Sequence, residues 1–214
     1  MIFRDRLHAA HLLAQELASR EVSPDALVLG LPRGGVPMAR AIADALGAPV
    51  DVLLVRKLGV PAQPELAFGA IAENGARVLD RAIMDESGVT PRQVEQIAAR
   101  EQDEIARRAR LLRGRRPAPV LKGREVIVVD DGLATGSTMT AAVRALRAQG
   151  VRRIVVAVPV GSAEACERML VIADELVCLS IPKHFEAVGT WYRDFSQVTD
   201  EEAKAALAGP PVSP

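Results

Sequence analysis

The sequence predicts an α/β protein, doubly wound around one mostly parallel sheet, with a β-hairpin insertion and a C-terminal segment that caps the sheet. Short runs such as Ala26-Leu27-Val28-Leu29 and Val126-Ile127-Val128-Val129 are apolar throughout, the pattern of strands covered on both faces. Helical periodicities alternate with those runs in both halves of the chain, as βαβ units require. Between the halves, Glu73-Asn74-Gly75-Ala76 joins two strand-like stretches and signals a hairpin.

Taken in order, Leu7, Ala10, Leu13, Ala14 and Leu17 recur at helical spacing, so Phe3 to Ser19 is read as an amphipathic helix. The strand opened by Pro24 and Asp25 runs into Gly30-Leu31-Pro32-Arg33-Gly34-Gly35. Pro37 suits a first helical turn, and Met38 to Leu46 continues to a stop at Gly47. Val50 to Val55 is a second buried strand, and a strand–helix–strand order favours a right-handed crossover. Two prolines make residues 59–64 a loop. Leu66 to Ala72 and Arg77 to Met84 form the hairpin arms, with positive φ expected at both Asn74 and Gly75. Thr90 is an N-cap before Pro91, and a long charged helix runs to about Arg113, ended by Gly114. Then come strand Glu125 to Val129, helix Ser137 to Ala148, strand Arg153 to Val158, helix Ser162 to Leu170 and strand Glu175 to Leu179. The tail from Ser180 differs in kind, because it holds Phe185, Trp191, Tyr192 and Phe195 in a chain that is 3% aromatic.

At 214 residues the chain fits one domain, residues 1–214, large enough to fold without disulfide or metal staples. Hydrophobic residues at 49% and charged residues at 25% exclude a disordered chain. Lys+Arg and Asp+Glu both total 27, and a zero net charge argues against nucleic acid as the main partner. Cys166 and Cys178 lie in no metal or redox motif and are assigned to packing; His8, His11 and His184 lack ligand spacing. Charges at Arg4, Asp5 and Arg6 stand where a secretory signal needs an apolar run. No stretch reaches the length of a membrane span, so a cytoplasmic protein is expected.

The segment Val126 to Thr138 carries the chemistry. A buried strand delivers Asp130 and Asp131 to its C-terminal end, where ligands bind in open α/β sheets. Gly132-Leu133-Ala134-Thr135-Gly136 then leads into a helix. The amides of Thr135 to Thr138 meet the positive end of its dipole, and the Ser137 and Thr138 hydroxyls add donors. No lysine follows the glycine, so this is no triphosphate P-loop, and the spacing fails GxGxxG. Paired acids beside an anion cradle suit a ligand with hydroxyls at one end and a phosphate at the other. They also suit a hydrated Mg²⁺.

This segment resembles the phosphoribosyl-pyrophosphate (PRPP) motif of type I phosphoribosyltransferases: four apolar residues, two acids and a small-residue loop with T-G-S/G-T. The resemblance implies that fold, with transfer of the phosphoribosyl group to a nitrogenous, nucleobase-like acceptor, pyrophosphate release and Mg²⁺ as cofactor. Asp130 and Asp131 would contact the ribose hydroxyls and the metal, and Ala134, Thr135, Gly136, Ser137 and Thr138 the 5′-phosphate. Pro32-Arg33-Gly34-Gly35 resembles the family's pyrophosphate loop, which implicates Arg33, Gly34 and Gly35. Arg56 and Lys57 end the second strand at the same sheet edge and would hold pyrophosphate beneath a flexible lid, residues 59–66.

Hypoxanthine-guanine enzymes carry a carboxylate at the position of Ala134, whereas Asp-Asp-x-Leu-Ala-Thr-Gly is nearer to the adenine enzyme. There a lid glutamate is the acid/base group, which implies Glu65. Asp131, Glu65 and Lys57 are thus the implied catalytic set. Residues 180–200, around Ala187 to Phe195, resemble the hood of hypoxanthine-guanine enzymes, so Phe185 and Trp191 would face the base. The two resemblances leave the acceptor open. A homo-oligomer is expected. The alternative is a PRPP-sensing regulator that binds nucleic acid or a partner, for which the cluster Arg107, Arg108, Arg110, Arg113, Arg115 and Arg116 speaks. Complementing the helix dipole, with Glu101, Asp103 and Glu104 one turn earlier, explains that cluster as well.

Overall fold

In a computed structural model that describes residues 1–208, with the backbone alone at Glu65, the apolar runs form strands and the periodic stretches form helices. In chain order these are α1 (Arg6–Ala18), β1 (Leu27–Gly30), α2 (Gly35–Leu46), β2 (Val50–Val52), β3 (Val55–Val60), β4 (Gln63–Ala72), β5 (Arg77–Leu79), α3 (Arg81–Glu86), α4 (Pro91–Leu112), β6 (Glu125–Val129), α5 (Ser137–Ala148), β7 (Arg153–Val160), α6 (Ala163–Ile172), β8 (Glu175–Ser180) and α7 (Asp200–Leu207). A 3-10 turn covers Val188–Trp191.

Five strands make a parallel sheet in the order β2-β1-β6-β7-β8. Side chains alternate between its faces: Leu27, Leu29, Val126 and Val128 pack with α5 and α6, while Val28, Ile127 and Val129 pack with α1 and α2. Both faces are therefore covered, which is why the strands read as unbroken apolar runs. The chain moves outward from β1 to β2, then returns to place β6 on the other side of β1. The strand order reverses there, and the crevice at the C-terminal ends of β1 and β6 is where such sheets bind ligands. A second, antiparallel sheet, β3-β4-β5, packs against α5 and, through Leu58, Phe68, Val94, Ala98 and Ile105, against α4, which α7 joins with Leu207.

Four expectations need correction. Val50 to Val55 is not one strand: the chain leaves the parallel sheet after Val52 and starts β3 at Val55. Residues 52–55 are all buried, so hydropathy carries no mark of the bend. Residues 59–64 are not an open loop but the tip of the β3–β4 hairpin, where Val60 pairs with Gln63 and the register shifts on either side of Gly59. Pro64 falls in that irregular stretch, where a missing N–H breaks no regular ladder.

At the next turn only Gly75 has positive φ (+79°), and its N–H donates to the Ala72 carbonyl (2.9 Å). This is a type I turn completed by a left-handed glycine rather than a type I′ turn. Finally, β5 stops at Leu79, and Asp80 caps the short α3 by accepting from the Ile83 amide, so Arg77 to Met84 is only partly strand. The expected β6, α5 and Thr90 cap are as observed, the last as a capping box with Gln93. Helix α7 was not expected; it starts with a capping box between Thr199 and Glu202. Among the described residues no helix is long and apolar enough to cross a membrane.

Candidate active site

Strand β6 carries Asp130 and Asp131 out of the core, and Gly136, at φ +69°, turns the chain into α5. The first-turn amides of α5 have no partner within the helix and face the crevice end of the sheet. The Thr135 hydroxyl lies 2.9 Å from that of Ser137, which fixes the rim of this cradle. Ala134, Thr135 and Thr138 are exposed, and Ser137 is half-buried. The loop is tied to α6 on its far side: Leu133 N–H donates to the Val160 carbonyl, Ser162 N–H to the Leu133 carbonyl and the Ser162 hydroxyl to the Ala134 carbonyl. Arg168 donates to the Thr135 carbonyl (3.3 Å).

The twin acids are not equivalent. Asp130 accepts the Asp131 amide on Oδ1 (2.9 Å), and burial, followed by the charge of Asp131, pushes its carboxyl well above the usual carboxylate range. Asp131 is instead gripped by Arg6, whose Nε and Nη2 both stand 2.9 Å from Oδ2. Arg6 further donates to the Ser196 carbonyl (2.6 Å) and lies 3.9 Å over the Phe195 ring. The Tyr192 hydroxyl donates to the Asp131 carbonyl (2.6 Å). Burial and then Asp131 raise the pKa of that phenol, so it serves as a donor throughout the physiological range. Arg6 and Tyr192 thus anchor the acidic turn to α1 and to the tail. Sequence reasoning missed both roles. Arg6 is 125 residues from Asp131, with no local signal, and Tyr192 was noted only as part of the aromatic tail.

The Pro32–Gly35 loop lies directly against this turn. Leu31 N–H donates to the Val129 carbonyl, and a Cβ on Gly35 would lie 2.3 Å from that same oxygen. A Cβ on Gly34 would lie 2.0 Å from Asp131 Oδ2. Both glycines are thus required for the close approach of the two loops. The Gly35 N–H donates to the Leu31 carbonyl (3.0 Å) and closes the turn. The Pro32–Arg33 peptide is cis, and the Arg33 guanidinium reaches to 3.8 Å from Asp200 of α7.

Arg56 and Lys57 are neighbours on β3, and strand alternation sends them to opposite faces. Arg56 faces α4, where Glu101 holds its Nε at 2.7 Å; Lys57, paired in register with Ala70, faces the α5 side. The lid segment brings Leu66 to the rim of a cleft of about 220 Å³ that Thr135, Ser137 and Arg168 also line. The side chain of Glu65 lies outside the described residues.

Phe185 and Trp191 are half-buried against the α1–α2 layer, and neither lines the 220 Å³ cleft beside Thr135 and Ser137. The tail still touches the site, because a Cβ on Gly132 would meet Val188 at 2.7 Å. Among the described residues no group of three or more His, Cys, Asp or Glu side chains could hold a metal by itself.

The chain is 48% identical over 208 residues to "Putative phosphoribosyl transferase Rv0571c" of Mycobacterium tuberculosis (strain ATCC 25618 / H37Rv), a match that covers 96% of this chain and 46% of that protein. It is equally similar to the counterpart in strain CDC 1551 / Oshkosh, so it spans about half the length of the curated relatives it matches. Among solved structures, TT1426 from Thermus thermophilus superposes with a TM-score of 0.90 at 48% identity, over 97% of this chain and 98% of that one. The model of the phosphoribosyl transferase domain matches residues 4–195, reaching from the strut at Arg6 to Phe195 beneath it, and the chain belongs to that family.

Proposed function

We propose that this chain transfers the 5-phosphoribosyl group of PRPP to a nitrogenous, nucleobase-like acceptor and releases pyrophosphate. The observation that carries the reading is the juxtaposition of two loops at the reversal of strand order, the acid-led loop of β6 and the Pro32–Gly35 loop after β1. Only glycine allows them to lie so close. A ligand with a phosphate at each end of a ribose spans such a pair.

In this reading the amides and hydroxyls of Thr135, Gly136, Ser137 and Thr138, with the backbone at Ala134, hold the 5′-phosphate. Asp130 and the Oδ1 edge of Asp131 take the ribose diol. The acceptor nitrogen forms a bond to C1 as the C1–oxygen bond to pyrophosphate breaks, so charge builds on the leaving group. Arg33 and the backbone of Gly34 and Gly35 meet the departing group, which Arg56 reaches from the α4 face of β3 and Lys57 from the α5 face. Residues 59–66 close over the crevice and exclude water, which is itself a competent nucleophile at C1. Glu65 is the acid/base group toward the acceptor, and residues 180–200 bound the base.

The acids fit Mg²⁺. Two carboxylates are adjacent, the Arg6 guanidinium contacts only Asp131, and burial followed by the charge of Asp131 raises the Asp130 carboxyl. Mg²⁺ binds through one or two carboxylates together with substrate phosphates, so no further protein ligand is demanded. When bound it would neutralise charge on the pyrophosphate. A cytoplasmic homo-oligomer remains part of this proposal.

The regulatory alternative loses support at Arg113, which is buried in ion pairs with Asp51 and Glu73. The test is a screen of adenine, hypoxanthine, guanine, xanthine and orotate with PRPP and Mg²⁺, following pyrophosphate release. One base should support release, and Asp130→Asn should lower it at least a hundredfold. Absence of PRPP binding by calorimetry in the wild-type chain would overturn the reading.

A further inference from the structure

A second cavity, of about 240 Å³, opens beside the Pro32–Gly35 loop, with Pro32, Val55, Arg56, Ile105, Arg108 and Thr138 in its wall. It joins both loops to α4, an element to which neither the sequence motifs nor the resemblance gives any part in the chemistry. Two guanidiniums, Arg56 from β3 and Arg108 from α4, border it. Each is held from behind by a glutamate of α4: Glu101 Oε2 accepts from Arg56 Nε (2.7 Å), and Glu104 Oε1 accepts from Arg108 Nε (2.8 Å). A guanidinium fixed through Nε keeps its two terminal nitrogens for an anion, the fork geometry that suits phosphate oxygens.

Glu101 also binds Arg100 and Glu104 also binds Arg107, two exposed arginines that are not among the lining residues, so neither glutamate is committed to its cavity arginine alone. The remaining wall, Pro32, Val55 and Ile105, is apolar and lowers the local dielectric, which strengthens attraction for an anion. The rest of the cluster is placed differently: Arg113 is consumed by internal ion pairs, and Arg115 is exposed.

We infer that Arg108 is a binding residue for the pyrophosphate group, meeting it from α4 opposite the Pro32–Gly35 loop, with Arg56 as its partner across the cavity. The inference rests on the phosphoribosyl-transfer reading and extends it to a helix outside both motifs. A diphosphate seated there has the Pro32 loop on one side and the Arg56–Arg108 pair on the other.

The test is calorimetric titration of the full chain with inorganic pyrophosphate and, separately, with ribose 5-phosphate, both with Mg²⁺. Arg108→Gln should weaken pyrophosphate at least tenfold and leave ribose 5-phosphate within twofold. Arg108→Lys, which keeps the charge and loses the fork, should fall between, and Arg115→Gln should change neither. The lysine variant also decides the matter if Arg108→Gln fails to fold. Equal pyrophosphate affinity in Arg108→Gln and wild type, or an equal loss in Arg115→Gln, overturns the inference. If the wild-type chain binds ribose 5-phosphate but not pyrophosphate, the inference falls while the sugar-phosphate loop stands. If it binds neither, the phosphoribosyl-transfer reading falls as well.

Discussion

Replacing Gly34 by alanine isolates the packing of the two loops, because the backbone there favours the change. Gly34 sits at φ −59° and ψ −37°, ordinary helical angles, so alanine should stabilise by about 0.4–1 kcal/mol through the unfolded chain alone. Against this, the new Cβ would lie 2.0 Å from Asp131 Oδ2, 2.7 Å from its Cγ and 3.1 Å from Arg6 Nε. The aspartate cannot simply swing aside, because Arg6 holds it with two contacts at 2.9 Å. Overpacking of this kind costs about 1–3 kcal/mol. Weakening a charged hydrogen bond in a part-buried pair adds about 1.5–3 kcal/mol. The net expectation is a loss of about 1.5–5.5 kcal/mol, which for a chain of this size lowers the melting temperature by roughly 3–22 °C.

The decisive arm is the double-mutant cycle with Asp131→Ala, read by urea denaturation followed by circular dichroism. With the carboxylate gone, Gly34→Ala should become neutral or stabilising, giving a coupling of more than about 2 kcal/mol. An equal cost of Gly34→Ala in both backgrounds would refute the argument that Asp131 and Arg6 dictate glycine at this position.

Other perturbations test the supports of the site. Arg113 has 2% of its side chain exposed and pairs with Asp51 (3.0 Å) and Glu73 (2.5 Å). Arg113→Ala should therefore strand two carboxylates and cost about 3–5 kcal/mol in thermal or urea unfolding. Tyr192→Phe removes the donor to the Asp131 carbonyl and should cost about 1–3 kcal/mol; a smaller loss would mean that water replaces it. Hydrogen bonds first from Arg107 and then from Arg108 lower the Glu104 carboxyl from 4.5 to about 2. Its contribution is therefore complete above about pH 4.5 and disappears as the pH falls toward 2. The difference in melting temperature between wild type and Glu104→Gln should follow that course, and a difference independent of pH across that window would contradict it.

Most of the framework was legible because parallel strands buried on both faces leave a plain mark in sequence. Strand β6 and helix α5 fall at their expected residues, and the Thr90 cap forms with Gln93 as its reciprocal partner. One failure has a plain cause: the choice of which sheet a strand joins is not local. Leu53 and Leu54 are as apolar as their neighbours, yet the chain changes sheets there. Residues 59–64 hold two prolines and still form a hairpin tip, since an irregular register absorbs Pro64. Helix α7 did carry a signal, the Thr199–Glu202 capping box, but Ala203 and Leu207 are its only buried residues, and two apolar positions make a weak periodicity.

The site follows the same division. The acid-led loop and the Pro32–Gly35 loop were readable as motifs, and the strand order brings them together. Arg6 was not readable, because its partners Asp131, Phe195 and Ser196 meet it only in the folded chain. The basic cluster of α4 looked uniform in sequence and separates in three dimensions into a buried strut at Arg113, a cavity-lining Arg108 and exposed Arg115.

Whether the two loops grip the two ends of a phosphorylated ribose is read most directly from a crystal structure of the chain with PRPP and Mg²⁺. The 5′-phosphate should lie within hydrogen-bond distance of the amides of residues 135–138, the sugar diol against Asp130, and the pyrophosphate beside Gly34 and Gly35. A well-ordered ligand bound elsewhere, with Asp130 turned onto protein donors and the loop amides facing solvent, would contradict that grip.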